Sequence, residues 1–114
     1  MEQIQSEELQ TKISTYINKE VYVHLETTTG AYHNHQNEEN MTVVAFIRNV
    51  KVFVQHVKVK GSGPYRVGLK MNDGWVYAEG LTHWTIEKNQ LLMAGLDKEG
   101  RLAIGLQLSE TPFE

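Results

Sequence analysis

Five side chains in one stretch of this sequence, Arg66, Lys70, Trp75, Tyr77 and Glu79, have the types of a binding face. They alternate with apolar residues on either side of Asp73-Gly74. An Asp-Gly pair between two alternating runs is a strong hairpin signal. Folding there brings the five to one face and leaves Tyr65, Val67, Leu69, Met71, Val76 and Ala78 on the other. A type I′ turn would pair Lys70 with Tyr77 and Gly68 with Glu79. Arg and Lys can hold an anionic group, Trp and Tyr can stack on a ring or fill a partner's pocket, and Glu79 can orient Arg66. A solvated sheet face with a cross-strand ion pair is the plainer account. Two large aromatics beside three charges are more than that account requires.

Two histidine patterns also have chemistry in them. Tyr22, His24 and Glu26 share one strand face, and a His beside a carboxylate can act as a general base or a ligand. A partly exposed polar face with a cross-strand hydrogen bond explains them more simply. His33 and His35, with Glu38 or Glu39, look like part of a cupin metal motif. The rest of the cupin glycine spacing is missing, and no second motif supplies another His. The surrounding run from His33 to Asn40 has no apolar residue, so ordering the ligands would carry a large entropic cost. No metal and no cofactor is therefore assigned. Gly61-Ser62-Gly63-Pro64 is followed by a strand pattern, whereas a phosphate cradle leads into a helix, so it reads as a turn. No Ser, Cys or Lys has a nucleophile signature, and no catalytic residue is assigned.

The elements that position these residues follow from periodicity. Ser6 can cap a helix over about residues 6–18, with Glu7 and Glu8 in its first turn and Leu9, Ile13, Tyr16 and Ile17 on one face. From Glu20 the period changes to two, and strands run from about residue 20 to 109. Val21, Val23 and Leu25 oppose Tyr22, His24 and Glu26. Val43 to Ile47 is apolar at every position, which suits a central strand, or one covered by a helix or a second subunit. Asn49 allows a turn before a further strand at Val52-Phe53-Val54. Leu102, Ile104, Leu106 and Leu108 point inward from the last strand. The reading is a mostly β fold: an antiparallel meander of about seven to eight strands forming a barrel or a two-layer sandwich, with one N-terminal helix.

Length and composition bound the rest. A chain of 114 residues suits a single β-rich domain over 1–114. A net charge of -3 argues against a broad grip on nucleic acid or on an anionic membrane. The absence of cysteine removes disulfides, thiolate catalysis and Cys-ligated zinc. The acidic, polar start is no signal peptide, and no apolar run approaches the ~18 residues of a membrane span, so the cytoplasm is the default location.

Four segments together resemble the YojF family, small uncharacterised proteins of bacilli and relatives. They are Val21 to Thr28, Met41 to Asn49, Gly63 to Lys70 and Gly74 to Leu81, the last two being the most specific. The resemblance implies a mostly β, dimeric protein. It also implies an association with bacillithiol biosynthesis, because the family's gene commonly lies beside that of a deacetylase of this pathway. It carries over no catalytic residue. The expectation is a non-enzymatic homodimeric accessory or binding protein, with the deacetylase as protein partner and no nucleic acid or membrane. Two alternatives stand beside it: a small β-barrel enzyme using His24 and Glu26, and a cupin-like metal-binding protein using His33 and His35.

Overall fold

A computed structural model describes residues 1–28 and 44–114. It contains, in order, β1 (Glu2–Gln3), α1 (Ser6–Ile13), β2 (Lys19–Thr28), β3 (Val44–Val54), β4 (His56–Lys60), β5 (Tyr65–Met71), β6 (Gly74–Leu81), β7 (His83–Glu87), β8 (Gln90–Leu96) and β9 (Leu102–Ser109). Strands β1-β7-β8-β9-β2-β3 form one antiparallel sheet, and β4-β5-β6 form a second. Neither sheet closes on itself, so of the two expected architectures the sandwich is the one present and the barrel is not. The chain leaves the large sheet at Gln55, builds the small sheet from short hairpin links, and returns through Thr82. The two inner faces share one buried cluster. Val21, Val23, Leu91, Met93, Leu106 and Leu108 come from the large sheet, and Val57, Val67, Leu69 and Ala78 from the small one.

The helix is shorter than the periodicity suggests. It ends at Ile13 and continues as a 3-10 turn over Ser14–Tyr16, and Asn18, at φ +65°, then releases the chain into β2. Its N-cap is Gln5, which makes no side-chain capping bond, so Ser6 is a first-turn residue and not the cap. Leu9, Ile13 and Tyr16 are buried as their spacing requires. Gln10 has a structural part that periodicity did not single out. Its side-chain amide donates to the Val57 carbonyl (3.2 Å) and accepts from the Val59 N–H (2.8 Å). It thereby satisfies the outer edge of β4 as a neighbouring strand would.

The β5–β6 hairpin turns through Asn72-Asp73, with Met71 opposite Gly74. Neither Asn72 nor Asp73 has positive φ; that conformation falls on Gly74 (φ +143°), so the turn is not type I′. The register is Lys70 opposite Trp75, Gly68 opposite Tyr77 and Arg66 opposite Glu79, two residues from the pairing read off the sequence. A shift of two preserves every side chain's face, whereas a shift of one would invert them all.

Strand β3 departs furthest from expectation. It is one strand of 11 residues, and Asn49 (φ +59°) makes a bulge in it rather than a turn. Among the described strands it is also the edge of the large sheet, not a central strand. Every residue from Val44 to Lys51 is exposed, including Phe46 at 63% and Ile47 and Val50 at 42%.

Candidate functional site

The outer face of the small sheet is a grid set by strand register. Its three rows are Lys60–Arg66–Glu79, Lys58–Gly68–Tyr77 and His56–Lys70–Trp75. All five hairpin residues singled out by sequence share this face. Lys58 and Lys60 join them from β4 and were missed, although their alternation with Val57 and Val59 announces an outward-facing pair. Gly68 stands at the centre of the grid. A Cβ there would lie 2.8 Å from Tyr77 Cε1 and 3.3 Å from Trp75 Cε3, so glycine is what lets both rings settle onto the strand. The dent beside them, about 270 Å³, is lined by Lys58, Lys60, Arg66, Gly68, Trp75 and Tyr77.

The rings are ordered by their neighbours. Trp75 and Tyr77 lie parallel within 8°, with centroids 5.3 Å apart. The Arg66 guanidinium carbon is 5.6 Å from the Tyr77 centroid, and Lys70 Nζ is 5.4 Å from that of Trp75. The sequence of layers is thus Arg66, Tyr77, Trp75, Lys70, in which each cation meets the negative face of a ring. Arg66 also donates from Nε and Nη2 to the two carboxylate oxygens of Glu79, each at 3.2 Å. This hydrogen bond to Glu79, with the charge behind it, pushes the Arg66 pKa further up. The pair remains about half exposed, so it fixes geometry more than it stabilises the fold.

His24 and Glu26 lie elsewhere, on the outer face of the large sheet, and the arginine beside them is Arg48. Arg48 donates to His24 Nδ1 (3.1 Å), which leaves Nε2–H to donate to Glu26 Oε1 (3.0 Å). The bulge at Arg48-Asn49 aims both side chains. Asn49 donates to the Phe113 carbonyl and accepts its N–H, at 2.9 and 2.7 Å, while Arg48 Nη2 donates to the Glu114 carbonyl. The C-terminal segment is thereby drawn over the cluster, with Phe46 and Phe113 rings 6.1 and 6.5 Å from the His24 ring. His24 is buried, and its expected exposure on a polar strand face does not hold. Arg48, Asn49 and Phe113 were not legible as part of this group, because 64 residues separate Asn49 from Phe113. Tyr22 is half-buried one step along β2.

His33, His35, Glu38 and Glu39 lie outside the described residues. Among the described residues no three His, Asp or Glu side chains gather as metal ligands would. The Gly61-Ser62-Gly63-Pro64 turn has Gly61 and Gly63 at positive φ and a cis Gly63-Pro64 bond, and it lines a cleft between β1 and the β8–β9 turn. No helix among the described residues is long and apolar enough to cross a membrane.

Comparison with known proteins places this geometry. The sequence is 58% identical over 114 residues to the uncharacterised protein YojF of Bacillus subtilis, covering 99% of this chain and 98% of that protein. The crystal structure of Bacillus subtilis YojF superposes with a TM-score of 0.83 at 48% identity, over 99% of this chain and 96% of that one. Residues 3–113 match the family described as "Protein of unknown function (DUF1806)", and the chain belongs to that family, with YojF among its members.

Proposed function

We propose that this chain is a non-enzymatic binding protein of the cytoplasm whose recognition surface is the outer face of the small sheet. The observation that carries the reading is the arrangement around Gly68. Cations and aromatics that could be buried are instead held in fixed order at the surface. Arg and Trp in such settings are the usual anchors of a binding face. The bond pattern of His24 supports the same side. Both ring nitrogens are committed, one to Arg48 and one to Glu26, so a general base there would first have to break one of these bonds. The resemblance stated above suggests a deacetylase of bacillithiol biosynthesis as the protein partner. Copurification of untagged partners from the native cell, with the wild-type chain and with Arg66→Ala, tests the reading. Capture by the wild type and its loss in the variant supports it; equal capture by both overturns it.

A second copy of the chain is the occupant proposed for β3. Gln10 covers the outer edge of β4, and the two-residue β1 covers that of β7. Strand β3 leaves Val44, Phe46, Ile47, Val50 and Phe53 exposed along an edge that no described strand pairs. An uncovered apolar edge invites association, and a two-fold pairing of β3 with itself would close it in a finite dimer. Sedimentation at micromolar concentration should give the dimer mass, and Phe46→Lys should shift it toward monomer. Monomer alone in the wild type would refute this.

A further inference from the structure

The recognition face has a charge pattern that also specifies the chemistry of a small ligand group. Lys58, Lys60 and Arg66 border one dent, and the only carboxylate in the grid is Glu79, which is already bound by Arg66. Among the described residues neither Lys58 nor Lys60 is engaged in an ion pair. Two ammonium groups are therefore left without a carboxylate partner beside the ring edges that rest on Gly68. This occurs in a chain whose net charge is -3, so the pattern is local and is not a general basic character. The fourth wall adds to it. Trp75 and Tyr77 stack on one another with a cation on either side, so they offer edges to the dent, not an open face. The edge of an aromatic ring is the positive part of its quadrupole. Three cations thus border the dent, and both stacked rings have their outer faces taken by Arg66 and Lys70, so a nucleobase has no free ring face on which to stack.

We infer that this dent binds the dianionic phosphate of a phosphate monoester, through Lys58 and Lys60 directly and Arg66 as the third donor. This rests on the recognition reading above and names the chemistry of its ligand. A phosphate monoester carries close to two negative charges near neutral pH and has three acceptor oxygens, matching two free ammoniums and one guanidinium. Glu79 tempers the site: it orients Arg66 but competes with the phosphate for it. Gly68 lets the Tyr77 and Trp75 edges settle onto the strand beside the dent, since any side chain there would push them outward.

The test is a titration of the full 15N-labelled chain with glycerol 2-phosphate at constant ionic strength, read at the Gly68 amide and the Trp75 indole N–H. At about pH 7.5, where the monoester is close to dianionic, the shifts should saturate. Lys58→Ala with Lys60→Ala should weaken it at least about tenfold, a change that each 1.4 kcal/mol of lost affinity would produce. Glu79→Gln should strengthen it by freeing Arg66, an effect that a purely structural Glu79 would not give. Lys98→Ala, on the β8–β9 turn, should change nothing. Absence of saturable shifts, insensitivity to the two lysines, or equal binding of succinate overturns the phosphate assignment. If phosphate fails to bind while Arg66→Ala still abolishes partner capture, the recognition face stands and only its ligand class falls. If both fail, both readings fall.

Discussion

Around His24 and around Gly68 the chain assembles similar sets of side chains, and it covers the polar pair of only the first, His24 and Glu26, while Arg48 and Phe46 at its rim stay exposed. The first holds Arg48, Glu26, Phe46 and Phe113 about a histidine; the second holds Arg66, Glu79, Trp75 and Tyr77 about a glycine. In the first, the His24 and Glu26 side chains are 8% and 14% exposed. In the second, Arg66 and Glu79 are 49% and 62% exposed. The difference is not in residue type. It lies in a covering segment: Asn49 and Arg48 hold the last residues of the chain across the first cluster, and no described residue crosses the second. The same chemical groups become structure where a strap covers them and remain available where none does.

The largest expected effect calibrates this comparison from below. Leu69 lies between Gly68 and Lys70 on β5 but points into the shared core, where it is fully buried. Leu69→Ala should lower unfolding stability by about 2–5 kcal/mol, as other buried leucines do. Denaturant unfolding measures it. A loss under about 1 kcal/mol would mean that the small sheet contributes little to the common core, outside the range seen for such substitutions.

The next effect separates the two clusters directly. His24→Ala removes a buried ring together with its hydrogen bonds to Arg48 and Glu26. Breaking one partner of a buried hydrogen bond costs about 1–3 kcal/mol. Phe113→Ala, which loosens the strap, should destabilise in the same direction, and the double variant should be less than additive because both act on one contact network. If His24→Ala proves neutral, the closed cluster is not structural, and His24 regains its standing as a candidate for chemistry.

How much of this was legible in the sequence depended on the kind of information required. The faces of the β5–β6 hairpin could be read because they need only parity, which survives a register error of two between Lys70–Trp75 and the pairing first drawn. The edge position of β3 could not be read. Val43 to Ile47 is apolar on both faces, and such a run fits a covered centre and an uncovered edge alike. The strap was hidden for another reason. Asn49 allowed a turn, and its φ is in fact positive, but the ladder resumes at Val50 and the residue becomes a bulge. Its partner at Phe113 is a contact between remote parts of the chain, which no local pattern contains. Lys58 and Lys60 were legible as an alternating run and needed only the adjacency of β4 to β5 to matter.

A smaller effect tests whether the open face is ordered or merely uncovered. Gly68→Ala places a Cβ 2.8 Å from Tyr77 Cε1, so the ring must swing away from the strand. The rings are at the surface and can move, so stability should change by no more than about 1 kcal/mol. The near-ultraviolet circular dichroism of the stacked Trp75–Tyr77 pair should fall clearly. An unchanged spectrum would mean that the stack does not depend on the glycine floor, and the dent would lose its physical basis.

The smallest expected change in stability belongs to Arg66→Ala. Its partner Glu79 is well exposed, and water screens the pair, so removing the guanidinium should shift the thermal midpoint by only a small fraction of the Leu69→Ala shift. The residual shift should shrink further at high salt, as an exposed electrostatic contact requires. Loss of packing on Tyr77 adds little, because that contact is also at the surface. Partner capture should nevertheless be lost, since Arg66 holds one end of the layered stack and one wall of the dent. The two measurements must therefore diverge: nearly native unfolding with abolished capture. If Arg66→Ala unfolds as readily as Leu69→Ala, the face is buried structure like the cluster around His24, and the contrast between the two regions disappears. If neither stability nor capture changes, the face is a solvated sheet surface, and its ordered cations and rings serve only each other.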